Sequence, residues 1–312
     1  MATPSCLSVF LLLLVAFQSA MMNANTVLPP PRCRPVLAST REKFEFASNL
    51  HILKAELFLR SSVGRGINDI SPGLVQGPAP IGAAVADLDN DTRKIIEELG
   101  LASVGHIRAI VNLTSLEAPL RRPLLNFSAQ VFSGFFDVLN VTLDPPFNFY
   151  ANTNSFLFAA VYFSYLLKQY YAGIMSSIVG NTERELAAGI GLYEAASYGA
   201  LRSQLYDRAN STVQPYPFTV ENVSNLTAQI GNQLGGCGVK DEGLIVPPPL
   251  GAEGRTTTNV IAADVNSLAY KRTEREILRI VFTTGNATRP GGAYPRGFAG
   301  TLYQRILALN QS

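Results

Sequence analysis

The chain has no tryptophan, only two histidines and three cysteines, and just 15% of its 312 residues are charged. Each shortage excludes something. Lysine and arginine never cluster beyond two or three, and 25 basic against 23 acidic residues leave a net charge of +2. Neither a nucleic-acid surface nor a strong steering field is encoded. A composition that is 47% hydrophobic excludes a disordered charged tail. No apolar run reaches the roughly 20 residues that a membrane-spanning helix needs. "CLSVFLLLLVAF" (6–17) and "FLFAAVYFSYLL" (156–167) each stop at 12. "GRGIND" (64–69) lacks the Lys-Ser/Thr of a phosphate loop, and neither "GHI" nor "YEAAS" looks like a nucleophile elbow.

What is present points to export. The first apolar run is followed by Ser19 and Ala20, as in a secretory signal, so residues 1–24 are expected to be removed after Ala20 or Ala24. Nine of the 20 asparagines begin an Asn-x-Ser/Thr sequon. Asn90, Asn126, Asn140, Asn210, Asn222, Asn225 and Asn286 are the candidate glycan acceptors. Asn112 falls in a predicted helix and Asn310 lies too near the end. Loss of the signal removes Cys6 and leaves Cys33 and Cys237, an even pair and a candidate disulfide in an oxidising compartment.

Residues 25–40 are Pro-rich and read as an extended arm. A helix is predicted over 41–62, stopped by Gly64 and Gly66, then a long loop over 63–89. A second helix, capped by Asn90 or Asp91, runs to about 112. A connection of nearly 40 residues leads to a third helix over 153–177. Thr182 and Glu185 have capping-box spacing and are expected to open a fourth helix, ending near 208. Four helices of about 20 residues, each about 30 Å long, with one long crossover describe an all-α, ferritin-like four-helix bundle over 41–210. The Pro/Gly-rich remainder, 211–312, reads as a loop-rich wrapping extension with short helices at 219–233 and 274–283, the second opened by Thr273 and Glu276.

Core spacing turns polar residues inward. The second helix has the stripe Ile96, Leu99, Ser103, His106, Ile110, and the fourth has Ala187, Ile190, Glu194, Ser197, Leu201. The third has Phe156, Ala160, Phe163, Leu167, Tyr170, Ile174. The first offers two competing stripes: Phe44, Ala47, His51, Lys54, Phe58, or Leu50, Leu53, Leu57. A buried Glu194 needs a partner, and His51 and His106 are the candidates. His106 and Glu194 are therefore expected to meet. Di-iron bundles use Glu-x-x-His on two helices, and here Ser103-x-x-His106 and Glu194-x-x-Ser197 each retain half of it.

With "FASNLHILKAELFL", "GPAPIGAAVADLD", "VGHIRAI", "LDPPFNFYAN", "VKDEGL", "GAEG", "NSLAYKRTEREILRIVF" and "PGGAYPRG", the chain resembles the ferritin-like desiccation-related proteins of plants over about residues 43–300. The resemblance implies a ferritin-like fold, a secreted or wall-associated location and a link to dehydration stress. Members of that family usually carry Glu at the positions of His51, Lys54 and Ser103. They commonly carry Gln at that of Ser197, where metal-binding bundles have His. Of six di-iron ligand positions, only His106 and Glu194 match. The resulting expectation is a secreted, stress-protective bundle without catalysis, a complete di-iron site or a required cofactor. One alternative is a single iron or zinc ion held by His51, His106 and Glu194. Another is a cell-wall glycan-binding module whose loop "PPFNFYAN" stacks sugars.

Overall fold

The structure is a computed structural model describing residues 33–244, 252–255 and 257–309. The expected signal segment, Cys6, the first part of the arm (25–32) and Asn310 lie outside the described residues. Four long helices form the bundle: α1 (Thr40–Val63), α3 (Asn90–Leu113), α5 (Thr153–Ile174) and α6 (Asn181–Asp207). Helix α1 packs on α3 and α5 on α6, and the α1–α5 and α3–α6 contacts close the square.

The helix ends show why the chain folds at these points. Ser39 and Glu42 form a reciprocal capping box at the start of α1, and Gly64, at φ 71°, closes its end in the left-handed region. Helix α3 is capped by Asp89, not by Asn90 or Asp91: the Asp89 carboxylate accepts from Thr92 N at 2.8 Å. Asn152 caps α5, which ends in a 3₁₀ turn over Met175–Ser177. The expected Thr182–Glu185 box is not used. Gly180, at φ 100°, stands at the N-cap, and Glu183 folds back so closely over it that a Cβ there would lie 1.9 Å from its Oε2.

The loops between the helices are stitched together by backbone. The α1–α3 loop contains the one-turn helix α2 (Ile67–Ile70) and strand β1 (Val75–Gln76). The long crossover contains β2 (Leu120–Arg121) and helix α4 (Ala129–Phe136). β1 and β2 pair in parallel, with Val75 opposite Leu120. A further parallel bridge joins Ile81 to Asn126. Gly82, at φ 68°, sits where a Cβ would come 2.6 Å from Ser128 Cα, so only glycine lets the two loops approach so closely.

The C-terminal part wraps the bundle through α7 (Val220–Gly235), α8 (Glu274–Val281) and α9 (Thr301–Ala308). Helix α9 lies on α1, while α8 packs on α7 and α5. The quoted motifs acquire physical roles here. Asp241 holds Arg202 of α6 in a two-pronged pair at 2.9 and 3.0 Å. Thr273 and Glu276 form the expected capping box, and Arg272 reaches back to Gln169 of α5 at 3.0 Å. Asn49 of α1 clamps the backbone of Ala299, donating at 3.0 Å and accepting at 2.9 Å. This wrapping resolves the two stripes of α1. Both are buried, because α1 is covered on every side.

Candidate metal centre

Each bundle helix sends a polar side chain to one point in the core. His51 and Lys54 come from α1, His106 from α3, Tyr171 from α5 and Glu194 from α6. His51, Lys54 and Glu194 are 0% exposed, whereas the His106 side chain is 14% exposed.

Glu194 divides its two oxygens. Oε1 faces the imidazoles, 3.4 Å from His106 Nδ1 and 3.9 Å from His51 Nδ1. Oε2 accepts from Lys54 Nζ at 2.6 Å. Burial alone would raise the Glu194 pKa, but the Lys54 charge, His106 and His51 outweigh it and hold the carboxyl down at about 2. His51 moves the other way. Burial, reinforced by His106 and Lys54 against the pull of Glu194, keeps it well below the ordinary histidine value and therefore neutral. Its Nε2 lies 2.9 Å from Tyr171 Oη. With the proton on Nε2, the imidazole donates to Tyr171 and leaves the Nδ1 lone pair aimed at Glu194. The two histidine rings meet edge to face at 5.1 Å, and Tyr193 packs edge-on against His106 at 5.0 Å, beside the exposed side.

His51 Nδ1, His106 Nδ1 and Glu194 Oε1 are all buried, and none has a hydrogen-bond partner. The three atoms lie within 4.8 Å of one another. Two donors bound to one ion at about 2.1 Å are at most about 4.2 Å apart. The two contacts to Glu194 fall inside that limit, and the histidine pair needs at most a small contraction. Two imidazoles and a carboxylate also form the donor set of non-haem iron. The residues present therefore fit a single transition-metal ion.

The expected approach of His106 to Glu194 is present, as contact rather than an aligned hydrogen bond. His51 joins them. The short bond goes to Lys54, whereas the sequence offered only His51 and His106 as partners for Glu194. Ser103 and Ser197 take no part. Their hydroxyls bond back to Leu99 O at 3.0 Å and Tyr193 O at 2.9 Å in their own helices. Tyr171 was missed because α5 is buried on nearly all sides and no stripe singles it out. The aromatic loop fares differently: Phe147 and Phe149 are buried and Tyr150 donates to Phe127 O at 3.1 Å, so these rings serve the core.

Comparison with known proteins agrees with the geometry. The Ferritin-like domain family matches residues 40–207, the span of α1 to α6. The desiccation-related protein PCC13-62 of Craterostigma plantagineum is 39% identical over 273 residues, covering 85% of this chain and 86% of its own. The ferritin-like catalase Nec2 of Nesocodon mauritianus is 38% identical over 268 residues, 85% of each chain. No solved structure matches. The chain belongs to the ferritin-like family, together with the desiccation-related proteins of plants. The expectation of a protein without catalysis is overturned, because a relative aligned over most of the chain is named a catalase. Counting di-iron ligands excluded one known pattern of chemistry, not catalysis itself.

Proposed function

We propose that this chain is an extracellular metalloprotein in which His51, His106 and Glu194 hold one redox-active transition ion that turns over hydrogen peroxide. The observation that carries the reading is the convergence of three buried, unpartnered ligand atoms from three helices. The catalase name of the Nec2 relative supplies the substrate. Peroxide disproportionation needs an ion that changes oxidation state, which favours iron or manganese over zinc. When bound, that ion would supply the electron exchange. The protein's own residues do the rest. Lys54 and the histidines keep Glu194 ionised, and Tyr171 engages the other ring nitrogen of His51 and holds the imidazole in place. Closed walls around His51 and Glu194 leave His106 as the approach, which suits a molecule as small as peroxide. The apolar run at residues 6–17, the sequon excess and the disulfide-bonded state of Cys33 and Cys237 support an extracellular location.

The test is metal analysis of tag-free mature protein, with oxygen release from peroxide measured on the same sample. About one iron or manganese per chain is expected, with both metal and oxygen release lost in Glu194→Gln. Protein that takes up neither ion on loading would sink the proposal.

A further inference from the structure

We propose that Lys54 is a built-in counter-cation that confines the centre to a single metal ion. This rests on the one-metal reading and extends it. A carboxylate has two oxygens and can bridge two cations, and two-metal sites place such ions about 3.5–4 Å apart. Glu194 has the bridging posture. Its Oε1 faces the Nδ1 atoms of two imidazoles, and its Oε2 is bound at 2.6 Å by an ammonium. The second cation is thus covalently part of the protein.

Among the described residues, no other acceptor competes for the Lys54 ammonium. It is fully buried, and its hydrogen-bond acceptor among the described residues is Glu194. It also stands 5.5 Å from the centre of the Phe58 ring, which favours a cation there. No second carboxylate joins the cluster among the described residues, and the neighbouring Ser103 and Ser197 hydroxyls bond to their own helices. Removing Lys54 would leave one carboxylate oxygen and a net negative charge in a closed space. With Lys54 in place, the metal-free cluster is balanced, one anion against one cation. The bundle can therefore stand without metal and load it without refolding.

The experiment compares mature wild type, Lys54→Glu and Lys54→Gln, each loaded with manganese(II). Far-UV circular dichroism checks folding, metal analysis gives stoichiometry, and electron paramagnetic resonance distinguishes an isolated ion from a coupled pair. Wild type is expected to bind one ion with an isolated-ion spectrum. Lys54→Glu is expected to bind a second, with the isolated signal lost to coupling. Lys54→Gln, which removes only the charge, is expected to lower Kd about tenfold or more. Two ions in wild type, or a folded Lys54→Glu that still binds one, would overturn the proposal. An unchanged Kd in Lys54→Gln would overturn it even if Lys54→Glu failed to fold. The one-metal reading fails separately. No metal in wild type with metal in Lys54→Glu would reject that reading and keep the role of Lys54, whereas no metal in any variant would reject both.

Discussion

Replacing Glu194 by leucine in metal-stripped protein should cost about 3–5 kcal/mol, because it strands the fully buried Lys54 ammonium without its partner. Proton linkage gives a similar figure. Glu194 titrates near 4.5 when unfolded and about 2 when folded. At 1.36 kcal/mol per unit, that depression contributes about 3 kcal/mol above pH 4.5, lost as the pH falls from 4.5 towards 2. The double variant Lys54→Met, Glu194→Leu should recover most of the loss, since an apolar pair of similar volume often replaces a buried ion pair at little cost. His106→Leu should behave differently. That ring has no aligned hydrogen bond to Glu194 and is partly exposed, so about 1 kcal/mol or less is expected. Urea unfolding followed by circular dichroism, at pH 7 with chelator, measures all three. If His106→Leu proves as damaging as Glu194→Leu, or the double variant is worse than the single, the histidine and not the lysine partners the carboxylate, and the assignment above is wrong.

Two further outcomes follow from groups outside the centre. Burial, partly offset by Asp241, pushes the Lys168 ammonium down to about 8, so the folded chain sheds this proton before the unfolded one does. Its penalty is therefore largest below pH 8 and is relieved as the pH rises, adding about 2 kcal/mol of stability between pH 8 and 9.5. Lys168→Met should flatten that rise, and urea midpoints across this range will show whether it does. Mass spectrometry of secreted, unreduced protein should find the Cys33 and Cys237 peptides joined and glycan on exposed Asn90, Asn140 and Asn210. It should find Asn225 bare, since its Oδ1 is buried and packs tightly against Gly243. Glycan on Asn225, or two free thiols, would contradict the structure.

The bundle was legible because its signals are local. Apolar spacing, a glycine stop after Val63 and the Thr273–Glu276 box each act within a few residues, and the four long helices appear within a few residues of where the pattern placed them. The misreadings have equally physical causes. A stripe defines a face only when the opposite side is wet, so α1, covered on every side, gave two answers that were both correct. The β1–β2 ladder is two residues long and held by backbone hydrogen bonds, leaving no side-chain period to detect. Lys54 was missed as the partner of Glu194 because spacing along one helix carries no distance to a side chain on another.

The strongest argument for a ligand is the cost of the metal-free cluster. A buried polar atom without a partner costs about 1–3 kcal/mol, and three such atoms here face one another. Rearrangement offers little relief. Lys54 already holds the other oxygen of Glu194, Tyr171 holds the other nitrogen of His51, and the nearest helix serines are committed to backbone carbonyls. Water could satisfy a carboxylate oxygen, but when both rings carry their proton on Nε2 the two Nδ1 lone pairs and the carboxylate are all acceptors. A water molecule has only two protons to give them. A cation answers all three at once. In that tautomer the three atoms offer one cation a complete set of acceptors, which is the arrangement the proposed ion would use.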